Sequence, residues 1–191
     1  MEILLALLLG LRHASDPDHL VAVTSLVAAD DGDVRGAARL GVWWGIGHAL
    51  TLLAVGLPLI ALKEEMPTWI EHAAETGVGI VIVALGARLL VNGLRQRAGV
   101  TRRSPHQSFG IGTLHGLAGS GAVVVLLIAA VPDRLEAAAA LAVFAPATLL
   151  SMTAFTGAFA WLLGRSAHRA LLAPALGAFG LAFGLWYAGL T

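Results

Sequence analysis

The sequence predicts an all-α, polytopic membrane protein. Of its 191 residues, 58% are hydrophobic and only 13% are charged, whereas soluble domains contain about 25% charged residues. The apolar segments are continuous and long enough to cross a bilayer, which takes about 20 residues per helix. They lack the alternation that is typical of barrel strands, so helices are the way in which their backbone groups are satisfied in lipid.

Six transmembrane helices are expected in a single domain, residues 1–191. Their approximate ranges are 3–28, 38–62, 74–94, 109–131, 140–163 and 170–190. By the positive-inside rule, basic residues mark the cytoplasmic loops. The loops after the first, third and fifth spans contain eight of them: Arg35, Arg39, Arg95, Arg97, Arg102, Arg103, Arg165 and Arg169. The opposite side has only Lys63 and Arg134, so both termini are expected outside.

The first span has a polar centre, in the stretch "GLRHASDPDHLVAVTSL". Its ionisable residues are Arg12, His13, Asp16, Asp18 and His19. Such groups cost several kcal/mol at mid-bilayer unless they are paired, so they are candidates for function. The proline that follows Asp16 predicts a kink or a short unwound turn. This break could bring both carboxylates and the His13 carbonyl toward one point.

Imidazoles beside carboxylates favour a borderline divalent ion such as Ni²⁺, Co²⁺ or Zn²⁺, because Ca²⁺ and Mg²⁺ prefer oxygen ligands. The polar centre is therefore interpreted as a site for a metal or for protons. A buried network of ion pairs is the structural alternative. Cysteine is absent, which excludes thiolate sites, and the net charge of zero gives no indication of a nucleic-acid partner.

The second, third and fourth spans each contribute further candidates. His48, in "WWGIGHALTLL", is a candidate ligand or gate, although a lone histidine can also be a packing residue. Arg88 is expected to balance carboxylate charge or to line a path. His115, in "LHGLAGSGA", is likewise a candidate ligand or gate, and Ser120 nearby could line a path for the ion. The glycines around His115 suggest a break in that helix.

Pairs of small residues and a short internal repeat suggest how the helices pack and how the two halves are related. Small residues at helix-packing spacing, Gly41/Gly45 and Gly180/Gly184, indicate close contacts between spans. "GLRH" in the first span matches "GTLH" in the fourth at an offset of 102 residues. A three-helix unit that recurs after an odd number of spans is inverted, which predicts a 3+3 repeat with its site near the midplane.

The motifs resemble those of the nickel/cobalt transporter (NiCoT) family. "RHASDPDH" is similar to that family's signature R-H-A-x-D-A-D-H-I, and "GIGHALTL" resembles its second motif, with Ala49 where serine is usual. The short form, with "LHGLAGSGA", is similar to compact nickel permeases associated with urease. An acidic motif in the second half of full-length members is missing here.

The resemblance implies a secondary transporter that imports Ni²⁺ or Co²⁺ across a prokaryotic cytoplasmic membrane. It carries His13, Asp18 and His19 as the signature site, Asp16 as the accompanying acid and His48 as the second-helix histidine. The metal is then a substrate and no cofactor is permanently bound. The expected partners are the divalent ion and the lipid bilayer, and the oligomeric state stays open.

Two other functions are compatible with the sequence. The same fold could export a metal or another small solute, since the sequence does not fix direction. An intramembrane zinc hydrolase would also combine histidines and aspartates, although the H-E-x-x-H motif is absent. A transport protein without enzymatic activity is the preferred interpretation.

Overall fold

A computed structural model describes residues 2–27, 33–95, 104–166 and 169–189, and this part of the chain contains helices but no strand. The seven helices within it are α1 (Glu2–His13), α2 (Pro17–Val27), α3 (Val34–Leu62), α4 (Thr68–Leu94), α5 (Pro105–Ala130), α6 (Arg134–Arg165) and α7 (Arg169–Tyr187). By length and composition, α3 to α6 can each cross a membrane, and α7 contains a shorter apolar stretch. The predicted all-helical class is confirmed, and six crossings stay a prediction.

Some sequence predictions fall outside the described residues. These are the loop arginines Arg97, Arg102 and Arg103, and the ends of the first and last predicted spans at residues 28 and 190.

The first predicted span consists of two helices with a break between them. Helix α1 ends at His13 and α2 begins at Pro17, as expected for a residue that lacks an N–H and is favoured at the first helical position. The turn satisfies its own backbone. The Ser15 N–H donates to the Arg12 carbonyl at 2.8 Å, and the Asp16 N–H donates to the His13 carbonyl at 3.1 Å. The predicted break is confirmed, but the His13 carbonyl is already engaged.

Polar caps fix where three of the long helices begin. The Asp33 carboxylate accepts an N–H of α3 at 3.1 Å, and Ser104 and Gln107 form a capping box on α5. The Asp133 carboxylate accepts two N–H groups of α6, each at 2.9 Å. Such caps stabilise a helix start by about 1 kcal/mol each. Charged and polar residues therefore set the starts of segments that are apolar along most of their length.

The packing of the helices is similar in the two halves of the chain. Helix α3 packs against α6, and α4 packs against α7. Helix α1 lies on α6 as α5 lies on α3, and α2 touches α7 as α5 touches α4. These contacts are preserved as a set when each helix is exchanged with its counterpart in the other half. The counterparts are α1/α2 and α5, α3 and α6, and α4 and α7.

Glycines allow the backbones of α4 and α7 to approach closely. A Cβ on Gly86 would lie 2.6 Å from the Leu181 nitrogen and 2.8 Å from the Gly180 carbonyl carbon. A Cβ on Gly184 would lie 2.8 Å from the Val83 nitrogen. Since real side chains do not tolerate such distances, the interface depends on small residues, as in other membrane bundles. The packing role predicted for Gly180 and Gly184 is confirmed.

Helix α5 is continuous from Pro105 to Ala130, so the expected helix break beside His115 is wrong. Its glycines serve packing instead. Gly112 lies against the Trp44 carbonyl of α3, and Gly116 lies against the backbone of His48. These contacts explain the glycine-rich sequence without a break. Because backbones touch at this point, the interface between α3 and α5 brings His48 and His115 into the same region of the core.

Candidate metal site

Three histidines from two separate segments converge in the interior. The α1–α2 break places the rings of His13 and His19 4.5 Å apart, measured between centroids. The His48 ring, contributed by α3, lies 5.1 Å from the first and 5.3 Å from the second. One nitrogen from each of the three can be chosen so that all lie within 4.8 Å of one another. Two nitrogens that bind one ion lie up to about 4.2 Å apart, so an ion bound by all three requires the most distant nitrogens to approach by about 0.6 Å at most.

Most nitrogens of this cluster are buried and have no hydrogen-bond partner among the described residues. They include Nε2 of His13 and both ring nitrogens of His19 and His48. Leaving a buried polar atom unsatisfied costs about 1–3 kcal/mol, and five of the eight such side-chain atoms among the described residues belong to these three histidines. Unprotonated imidazole nitrogens are good ligands for transition metals. The cluster therefore has the donor chemistry of a metal site.

The two aspartates lie beside the histidines rather than among the clustered nitrogens. An Asp16 oxygen is 3.1 Å from His13 Nδ1, and an Asp18 oxygen is 3.1 Å from His19 Nδ1. Both are ion-pair distances, and His19 Nδ1 has no hydrogen bond among the described residues. A carboxylate at Nδ1 orients the ring and leaves Nε2 for a metal. Both carboxylates therefore lie beside the imidazoles in this structure, and direct ligation by Asp16 and Asp18 stays a prediction.

Arg12 belongs to the exposed side of the site. Its guanidinium lies 3.7 Å from an Asp16 oxygen, and its side chain is 73% exposed. His13 is 14% exposed and Asp16 is 35% exposed, whereas His48 is fully buried. The cluster is therefore more accessible from the side of Arg12 and Asp16 than through α3.

His115 lies next to the cluster, on the far side of His19. Its ring centroid is 5.2 Å from that of His19. Its Nδ1–H donates to the Ile111 carbonyl at 3.1 Å, which leaves Nε2 buried and unpartnered. Ser120, one turn further along α5, is fully buried and its hydroxyl donates to the Gly116 carbonyl. Ser120 is thus engaged within its own helix.

Arg88 lies apart from this group. It is exposed on α4, and no ion pair involving it occurs within the described ranges. The structure does not bring Arg88 to the histidines, and its part in a path stays a prediction.

Two aromatic residues of the site were not predicted. The Trp44 indole stacks on His19 at 5.5 Å and meets His115 edge-on at 5.6 Å. Phe144 of α6 meets His13 edge-on at 5.5 Å. The sequence could have indicated Trp44 as a site residue, because it lies four residues before His48 and residues four apart share a helix face. No sequence pattern indicated that Phe144 belongs to the site, since it is distant in sequence from every histidine of the site.

Together these features define a helical membrane protein with a buried cluster of histidines whose nitrogens are placed closely enough to hold a metal ion. The chain is 32% identical over 168 residues to the urease accessory protein UreH of Bacillus sp. (strain TB-90), an alignment that covers 80% of this chain and 73% of that protein. The chain belongs to the nickel/cobalt transporter family. Its role is accordingly metal-ion transport and not enzyme catalysis.

Further relatives are longer than the region they share with this chain. The high-affinity nickel transport protein of Cupriavidus necator is 29% identical over 106 residues, which are 56% of this chain and 30% of that protein. The chloroplast protein FOR GROWTH AND FERTILITY 2 of Arabidopsis thaliana is 28% identical over 163 residues, and the match spans 43% of its length. No family model and no solved structure matches the sequence.

Proposed function

We propose that this protein imports Ni²⁺, or Co²⁺, through a mid-membrane site formed by His13, His19 and His48. The observation that supports it most is the convergence of three imidazoles, one nitrogen of each within 4.8 Å of the others. Nitrogen ligands select late transition metals over Ca²⁺ and Mg²⁺. The nickel in the name of the Cupriavidus necator relative supports nickel among these.

The proposed membrane arrangement has six crossings, with α1 and α2 forming one broken crossing. The matched packing of the two halves supports an inverted 3+3 repeat, because such repeats place equivalent helices in equivalent contacts. Both termini then lie outside a prokaryotic cytoplasmic membrane, as the distribution of arginines predicts.

The ion enters from the side of Asp16, where His13 is partly exposed. The carboxylate attracts the hydrated cation, and the imidazoles then replace its water one at a time. Asp16 and Asp18 attract the Nδ1 edges of the His13 and His19 rings, each at 3.1 Å, which leaves Nε2 of both rings for the ion. Rocking of one three-helix half against the other opens the site to the cytoplasm.

Uptake by intact cells tests this function. Cells that express the protein are offered nickel, cobalt, zinc and manganese separately at low concentration. We expect accumulation of nickel or cobalt, and we expect His13→Ala and His48→Ala to abolish it because each removes a ligand. His72→Ala is the matched control, since that side chain is 78% exposed. The membrane level of each variant is measured in parallel.

Absence of accumulation, or accumulation that both cluster variants leave unchanged, would contradict import through this site. Loss of metal from preloaded cells would then indicate export by the same fold.

The two aspartates are expected to differ in their effect on nickel affinity. Asp18→Asn should weaken binding by about 10–100-fold, the usual cost of losing a carboxylate behind a metal-binding histidine. Asp16→Asn should cost less, because Asp16 is more exposed and water screens its interactions. Equilibrium dialysis of the purified variants against nickel measures both. A larger loss for Asp16→Asn would reverse the assigned roles.

A further inference from the structure

His115 has the properties of a ligand that the three-histidine cluster does not use. It is buried, and its Nδ1–H is fixed on the Ile111 carbonyl at 3.1 Å. That bond selects the tautomer with an unprotonated Nε2, which has no partner. A merely structural histidine would be expected to use both nitrogens, since a buried orphan is costly. No group in the described part of the chain bonds to this nitrogen, so it is free to bind a ligand.

His19 lies between His115 and the other two histidines. Its ring is within 4.5–5.3 Å of the rings of His13, His48 and His115. An Asp18 oxygen lies 3.1 Å from Nδ1 of the same His19 ring. His115 nevertheless falls outside the set of nitrogens that lie within 4.8 Å of one another. One ion therefore cannot be held by all four rings in this conformation.

The surroundings of His115 repeat those of His13 in the other half of the chain. On α1, Gly10 lies against the Phe144 carbonyl of α6, and the Phe144 ring meets His13 at 5.5 Å. On α5, Gly112 lies against the Trp44 carbonyl of α3, and the Trp44 ring meets His115 at 5.6 Å. In both places a glycine precedes the histidine by three residues and packs on the backbone of the aromatic residue.

We propose that His115 and His19, with the Asp18 carboxylate beside His19, form a second metal position, which shares His19 with the first and takes the same class of ion, Ni²⁺ or Co²⁺. The two positions are occupied alternately. In an inverted repeat, equivalent residues serve opposite sides of the membrane, so His13 receives the ion and His115 releases it. A small approach of α5 to α2 transfers the ion by ligand exchange at His19. This inference rests on the proposed function.

Equilibrium binding of nickel to the purified intact protein in detergent separates the two positions. The wild type, His13→Ala, His115→Ala and the double variant are compared, with His19→Ala as the reference that lacks the shared ligand. We expect His13→Ala to bind on the order of 10–100-fold more weakly but above the reference. The double variant should fall to the reference. Thr113→Val, an exposed substitution on the same helix, should not change binding in the His13→Ala background.

Nickel uptake by cells that express the His115 variants is the second test of this position. His115→Ala should keep nickel affinity within about threefold of wild type, because the first position is intact, while uptake falls by about tenfold or more. His115→Gln, which is polar and of similar size, should behave in the same way and shows whether packing alone is responsible.

The outcomes separate this proposal from the proposed function. Binding by the wild type together with a His13→Ala variant no better than His19→Ala would overturn the second position alone. Unchanged uptake in both His115 variants would also overturn it. A wild type that binds no nickel or cobalt would overturn the proposed function and this inference with it.

Discussion

His19→Ala is expected to abolish both nickel binding and nickel uptake. His19 is the only histidine of the site whose ring contacts those of His13, His48 and His115 among the described residues. Its loss leaves two imidazoles in the first position and one in the second. We expect nickel affinity to fall by more than about 100-fold. This exceeds the loss of about 10–100-fold that is usual when a group that only supports a metal-binding histidine is removed. Equilibrium dialysis and cellular uptake measure the two effects.

Two controls separate lost ligation from lost folding. His19→Gln fills a similar volume with a polar group and should be as inactive as His19→Ala. His72→Ala removes an exposed histidine whose ring lies 3.4 Å from a Glu75 oxygen, and should transport normally. Nickel uptake by His19→Ala at its normal membrane level and wild-type affinity would contradict the assignment of His19 as the central ligand.

Gly112→Ala is expected to destabilise the protein and to stop transport. The added methyl group would collide with the Trp44 carbonyl oxygen, and it would lie 2.9 Å from Cδ1 of the Trp44 indole. Backbone cannot move aside without separating α3 from α5. Overpacking of this kind costs about 1–3 kcal/mol, and it also displaces the indole that stacks on His19. Thermal unfolding in detergent and nickel uptake report the two consequences.

Gly119→Ala is the matched control on the same helix. A Cβ at Gly119 meets nothing within 4 Å, so the variant should unfold at the wild-type temperature and transport nickel normally. Equal unfolding temperatures for the Gly112 and Gly119 variants would show that the approach of α3 and α5 is not constrained at this point.

The sequence predicted those features of the site that depend on local chemistry. Pro17 removes an N–H and restricts the preceding residue, so the break between α1 and α2 follows from two adjacent positions. The histidines stood out because ionisable groups are rare in apolar spans. Glycine patterns predicted close packing, although around His115 they were also interpreted as a helix break.

Features that depend on the rotation of one helix relative to another were not predictable. Helix α4 is apolar around most of its circumference, so its sequence does not tell which face turns inward, and Arg88 is exposed rather than beside the histidines. The positions of Asp16 and Asp18 depend on the angle at which α2 leaves the break. The contact between Phe144 and His13 joins residues far apart in the chain, which no local pattern reports.

X-ray absorption of nickel bound to the purified intact protein identifies the ligands of the transport site directly. A purification tag without histidine is needed, so that every imidazole around the metal belongs to the chain. We expect nickel with imidazole nitrogen ligands in the wild type, and the loss of that imidazole signature in His19→Ala. A shell of oxygen ligands alone in the wild type, or an imidazole shell that His19→Ala leaves unchanged, would contradict a transport site built on these histidines.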